Sequence, residues 1–110
     1  MQAARRRARE LTLEYEHALA PTGLTGGQFS TLVAVGAGDG AAMKELAHVL
    51  GLDATTLSRG LRPLERRKLV NAVVDPADAR GRRIRLTAEG KALLDRAIPL
   101  WETVQSRLQE

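Results

Sequence analysis

The chain has no cysteine in its 110 residues, so disulfides, thiolate metal sites and thiol redox switches have no sulfur to use. A reducing cytosol fits that inventory. Aromatic residues are nearly as scarce, with one phenylalanine, one tyrosine and one tryptophan, and single aromatics in a small protein mostly fill core. No apolar run approaches the roughly 18 residues that span a bilayer, so no membrane partner is expected. Internal repeats and low-complexity segments are also missing. The opening MQAARRRAR has no apolar stretch behind it and runs into Glu10, Glu14 and Glu16, so it is expected to begin the fold rather than to serve as a leader. No nucleophile with its base and orienting group, phosphate-cradling glycine loop or pair of acids is visible, and catalysis is not expected. His17 and His48 lie on different predicted helices without a second ligand at metal spacing, so neither a metal nor another cofactor is expected.

What the chain does have is positive charge in one place. The whole carries +4 with an isoelectric point near 10.3, but residues 53–85 hold nine basic side chains against four acidic ones. That stretch alone is +5, and the rest sums to −1. A polyanion is the partner that such a balance suits. At 110 residues the chain has room for one small domain, spanning 1–110.

Hydrophobic spacing lays out the helices. Ala4, Ala8, Leu11, Tyr15 and Ala18 recur at steps of four and three up to the break at Ala20-Pro21-Thr22-Gly23, which predicts an amphipathic first helix. Thr25 and Gln28 form a T-x-x-Q capping box, with Leu24 and Phe29 at the staple positions. A second helix should start there, turn Phe29, Leu32 and Val33 inward, and stop within the three glycines of residues 36–40. Met43, Leu46, Ala47 and Leu50 define a short third helix that Gly51 ends. Asp53 then caps a fourth, with Leu52 and Leu57 as its staple. Two helices joined by about three residues including glycine have helix-turn-helix spacing.

On the fourth helix Leu57, Leu61 and Leu64 share one side, within about 60° at 100° per residue. Thr55, Arg59, Arg62 and Arg66 lie opposite, with Ser58 at the edge. That stripe suits a groove, though any surface helix also has a charged back. Pro63 removes one backbone hydrogen bond, so the regular helix is expected to kink or end near Leu61. Leu69 to Val74 and Arg83 to Leu86 read as two strands, with a loop of roughly residues 75–82 between them. The stretch DPADARGRRIRLT places Arg80, Arg82, Arg83 and Arg85 within six positions. So many guanidiniums repel one another unless an anion is present, and beside a cationic helix the economical anion is a nucleic-acid backbone. A solvated turn with Asp78 paired to an arginine is the alternative, at about 0 to 1 kcal/mol.

From about Leu11 to Leu108 the sequence resembles the MarR-type winged helix-turn-helix regulators of bacteria, most of all in LTGGQFSTLVAV, KELAHVLGLDATTLSRGLRPLERRKLV and DARGRRIRLTAEGKALL. Asp78, Arg80 and Arg83 match the D-x-R-x-x-R motif of that family's wing. The resemblance implies a mainly α fold with a small β-hairpin, in which residues 24–87 form the DNA-binding lobe and residues 1–20 and 88–110 form dimerisation helices. It implies that Arg80 enters the minor groove, that Asp78 orients the wing arginines, and that Arg83 supports the wing or reaches phosphate. Thr55, Ser58 and Arg59 match recognition-helix positions that contact base or phosphate in the major groove. Arg62 and Arg82 extend the same two surfaces. The implied partners are an inverted-repeat duplex and a second copy of the chain, with a small-molecule effector in the crevice near Tyr15, His17 and Trp101, releasing a repressor. Other uses for these residues remain: the two histidines as ordinary helix residues, the aromatics as core, and the fold as a protein-binding module.

Departures from the family are expected to matter. The family usually continues past Glu110 with another helix that knots two subunits, so the strength of the dimer is open. Ala42 stands where a serine or threonine cap is common, a loss of about 1 kcal/mol. Some relatives sense oxidants through cysteine; here only Met1 and Met43 contain sulfur, and Met43 falls on an apparent core face. Leu94, Ala97, Trp101, Val104 and Leu108 form a seam on the last helix, widened by Ile98.

Overall fold

In the computed structural model, which describes residues 2–108, the elements run α1 (Gln2–Leu19), a 3-10 turn (Ala20–Thr22), α2 (Gly26–Gly38), α3 (Met43–Leu50), α4 (Ala54–Arg66), β1 (Val70–Asp75), β2 (Asp78–Leu86) and α5 (Ala88–Leu108). No described helix is long and apolar enough to cross a membrane. α1 lies against α5, and both touch α2. Leu93, Leu94 and Ala97 of α5 are buried in the same core as Leu32, Leu46, Leu61 and Ile84, so the first half of α5 belongs to the lobe as much as to the terminal helices.

The capping box is formed at both arms: the Gln28 amide donates to Thr25 Oγ1 at 3.1 Å and the Thr25 amide to Gln28 Oε1 at 3.0 Å. α2 ends inside the glycine stretch as expected, at Gly38, after which Asp39 takes a left-handed φ of 44°. A Cβ on Gly36 would come within 3.1 Å of Leu86 Cδ1, so the hairpin base packs on this bare stretch of backbone and tertiary contact overrides local propensity. Val33, expected inward, is 40% exposed, and Val35 is buried instead. With Leu32 as zero, Phe29, Val35 and Gly36 fall within about 60° while Val33 lies about 100° away.

Ala42 is the N-cap of α3 and offers no side-chain cap. Its place is held another way, because the Ile84 amide donates to the Ala41 carbonyl at 3.1 Å and Ala42 bridges Arg83. Gly51 takes φ 68° in the turn to α4, a conformation that costs glycine little. Asp53 caps α4 as expected, accepting from the Thr56 amide at 2.7 Å and the Thr56 hydroxyl at 3.0 Å. Those two bonds, the amide's first, hold its carboxyl below the usual range. Leu57 is buried and Leu52 is 38% exposed, so the outer member of the expected staple is only partly covered.

α4 does not end near Leu61; it continues through Pro63 to Arg66. The carbonyl left without its donor is that of Arg59, on the exposed face open to solvent, while Leu57, Leu61 and Leu64 keep the inner face buried. The hairpin also departs from expectation. β1 and β2 pair from Val70↔Leu86 to Val74↔Arg82, then jump to Asp75↔Asp78. The loop is therefore only Pro76 and Ala77, and the extra residues 79–81 form an irregularity within β2. Such bulges re-aim the side chains beside them.

Candidate DNA interface

One groove of 960 Å³ runs between the outer face of α4 and the end of the hairpin. Thr55, Ser58, Arg59 and Arg62 line one wall; Asp78, Arg80, Gly81 and Arg82 line the other; Met43 and Lys44 close the end at the start of α3. Seven of the eight candidate DNA-binding residues thus share one concavity. Arg66 is exposed but is not part of either wall. The lining holds five cations, Lys44, Arg59, Arg62, Arg80 and Arg82, against one carboxylate, Asp78. Cations grouped in a concave wall focus an attractive field on a polyanion.

The wing motif takes a particular form here. Asp78 pairs with no guanidinium among the described residues; its Oδ1 accepts from the Arg80 backbone amide at 3.0 Å. It sets the backbone that aims Arg80, as a short acceptor two residues back does in an Asx turn. Arg83, the eighth candidate, is turned away from the groove. Its Nε lies 3.2 Å from Asp75 Oδ1 and its guanidinium donates to the Gly40 carbonyl at 3.0 Å. A guanidinium engaged by both Asp75 and the Gly40 carbonyl braces the wing. Asp75 is buried, and its carboxyl is held below the usual range chiefly by the Ala77 amide at 2.9 Å, then by Arg83, against the opposing effect of burial.

Asp75, Lys44 and Arg67 were not singled out in the sequence. Asp75 could have been found by its place eight residues before Arg83, on the partner strand of a hairpin. Lys44 sits in the first turn of the first helix-turn-helix element, a signal the stripe on α4 overshadowed. Arg67 gave no signal: it follows α4 yet donates to the carbonyls of Thr22 at 3.0 Å and Gly23 at 3.2 Å, tying that helix end to the connection after α1.

The proposed effector residues divide. Tyr15 and Trp101 line a 230 Å³ cavity with Thr12, Glu16, Leu19, Gly26, Phe29 and Ser30. Trp101 stacks on Phe29 at 5.8 Å between ring centroids and meets Tyr15 at 6.2 Å, so the chain's three aromatics converge. His17 is not among them. Two residues along a helix is a turn of about 200°, and His17 opens instead onto a separate hollow with Leu13, Glu14, Val104 and Arg107.

A helix-turn-helix with a cationic hairpin folded beside its second helix is a winged helix-turn-helix, the architecture of many duplex readers. Residues 22–81 match the profile of the MarR family, and the chain belongs to that family. It is 34% identical over 93 residues to the transcriptional regulator HosA of Escherichia coli O111:H-, a match covering 84% of this chain and 67% of HosA. Among solved structures it superposes on the Mycobacterium tuberculosis transcriptional regulator MosR in complex with DNA, at 45% identity and a TM-score of 0.84, over 97% of this chain and 77% of that one. It also superposes on the transcriptional repressor CouR bound to a 23-mer DNA duplex, at 34% identity and a TM-score of 0.91, over 98% and 77% of the two chains.

Proposed function

We propose that this protein is a transcriptional regulator that reads an inverted-repeat operator as a two-fold dimer, with one groove per subunit on each half-site. The observation that supports this reading most is the pairing of the α4 stripe and the wing cations as two walls of one groove. In it α4 enters the major groove, with Thr55, Ser58 and Arg59 toward base edges and Arg62 and Lys44 toward phosphate. Arg80 and Arg82 flank the duplex from the wing, Arg80 in the minor groove, where narrow width raises the negative potential. MosR and CouR, both over 30% identical, are regulators solved on DNA, and the reading carries that partner to this chain.

The aromatic cavity at Tyr15, Phe29 and Trp101 takes the small-molecule effector, and the protein acts as a repressor that the effector releases. Leu19 of its lining accepts at its carbonyl from the Thr22 hydroxyl at 2.6 Å, and the Thr22 and Gly23 carbonyls accept from Arg67 at the end of α4, so a ligand that shifts the connection after α1 also shifts the reading helix. Selection of bound duplexes from a random pool at fixed salt tests the DNA reading. An inverted repeat with half-sites about 10 base pairs apart is expected from two-fold geometry; a pool without common sequence would overturn it.

A further inference from the structure

The one described sulfur in this chain lies where DNA is expected. Met43 is the first residue of α3, and Met1, the other sulfur, lies outside the described residues. On its inner side Met43 packs against the buried core. On its outer side it lines the groove, together with Lys44, Thr55 and Ser58. The residue lies on the core face as expected but is only half-buried, which leaves it within reach of small oxidants.

We propose that Met43 is an oxidation site whose sulfoxide weakens the hold of this groove on DNA; the inference rests on the reading of the groove as the DNA interface. A thioether is a weak acceptor that asks little of its neighbours. Attack of the sulfur lone pair on a peroxide forms the S–O bond as the O–O bond breaks, and the second oxygen departs as water after proton transfer. Sulfur loses two electrons, peroxide gains them, and nothing else in the protein is consumed.

The product differs from the thioether in the respect that matters here. A sulfoxide oxygen is a strong acceptor with partial negative charge, and because Met43 packs on the hydrophobic core on one side, the groove is the side that favours it. That groove is lined by five cationic side chains and one carboxylate, and the carboxylate already accepts from the Arg80 amide. In the free protein the new acceptor shares those donors with water. Duplex phosphates need the same donors, and a second acceptor beside them repels the incoming charge. Oxidation and DNA therefore compete for one set of groups, and each disfavours the other by linkage.

The test uses the full chain and its selected operator, with hydrogen peroxide as the oxidant. Peptide mass mapping follows the gain of one oxygen at Met43, and anisotropy of a labelled duplex follows binding on the same samples. Affinity is expected to fall about tenfold as Met43 converts, the equivalent of one charge-assisted hydrogen bond lost. Treatment with a methionine sulfoxide reductase and its thiol reductant should restore it. In Met43→Leu, a volume-conserving change, treated and untreated protein should bind alike whatever their shared affinity. Full conversion of Met43 without a change in binding would overturn the proposal. So would a loss of binding that persists in Met43→Leu, or a Met43 that stays reduced while Met1 is fully converted. Failure of the underlying DNA reading would show in the untreated protein, as an absence of salt-dependent duplex binding.

Discussion

Arg83 and Asp75 form a cross-strand ion pair at 3.2 Å at the root of the wing, and the same guanidinium reaches the Gly40 carbonyl at the end of α2. The pair joins the hairpin to the helical lobe, so the direction in which Arg80 and Arg82 project depends on two residues outside the groove.

Arg83→Ala should therefore weaken operator binding through loss of wing position, with a lower melting temperature. The slope of log affinity against log salt should stay that of the parent, as expected of an arginine whose guanidinium is engaged within the wing. Asp75→Asn should behave likewise. A slope that falls by about one unit in Arg83→Ala would place this arginine on the DNA backbone instead.

Arg80 and Arg59 should fail in different ways, since they stand on opposite walls of the groove. Arg80→Ala is expected to weaken binding across sequences and reduce the salt slope by about one unit. Arg59→Ala is expected to change the preferred base at one half-site position, by roughly 1 to 3 kcal/mol where it reads a guanine. Competition titrations with operator and random duplex at several salt concentrations separate the two. Parent-like behaviour from both variants would refute the assignment.

Most of this fold and groove could be read from local sequence, because the elements are short and strongly patterned. The capping box at Thr25, the cap at Asp53, the glycine turn at Gly51 and the leucine stripe of α4 are each decided by neighbours within a few residues. Illegible features depend on distant residues. The course of α2 through Gly36 depends on Leu86, fifty residues on, and the role of Arg83 depends on Asp75 and Gly40. Arg67 is tied to a connection that sequence places more than forty residues away. The short wing loop is hidden for a related reason: cross-strand register, not turn composition, fixes where β2 begins.

The two lowered carboxyls set an acid limit on stability. Asp53 and Asp75 both have folded pKa values below their ordinary ones, so folding favours their ionised forms. Their contribution is complete above the unfolded value of about 3.9 and is lost as pH falls through the lower folded values. Thermal melts followed by circular dichroism should show no loss attributable to this pair from neutral pH down to about 5, then a decline below about pH 4. Asn is an adequate N-cap, so Asp53→Asn combined with Asp75→Asn should fold, and should lose less stability on acidification than the parent. Parallel declines in the two proteins would mean other groups set the acid limit.

The dimer is best tested at Leu13 rather than Trp101. Trp101 lies between Phe29 and Tyr15 of its own chain, so a charge there would damage the monomer and mimic loss of a partner. Leu13 is 67% exposed on α1 and Leu108 is 44% exposed on α5, and between them Val104, His17 and Arg107 help line a shallow hollow. Residues 3–10 of α1 are exposed throughout, and a helix without packing contacts is marginal in water over so few turns. A second copy laid along α1 and α5 would cover this surface. Leu13→Asp should keep helical content, because the side chain already stands in solvent. It should shift sedimentation from dimer to monomer and weaken operator binding by about 10²-fold or more, as the two half-sites cease to be linked. A parent that remains monomeric at high concentration and on its operator would rule out the two-fold reading.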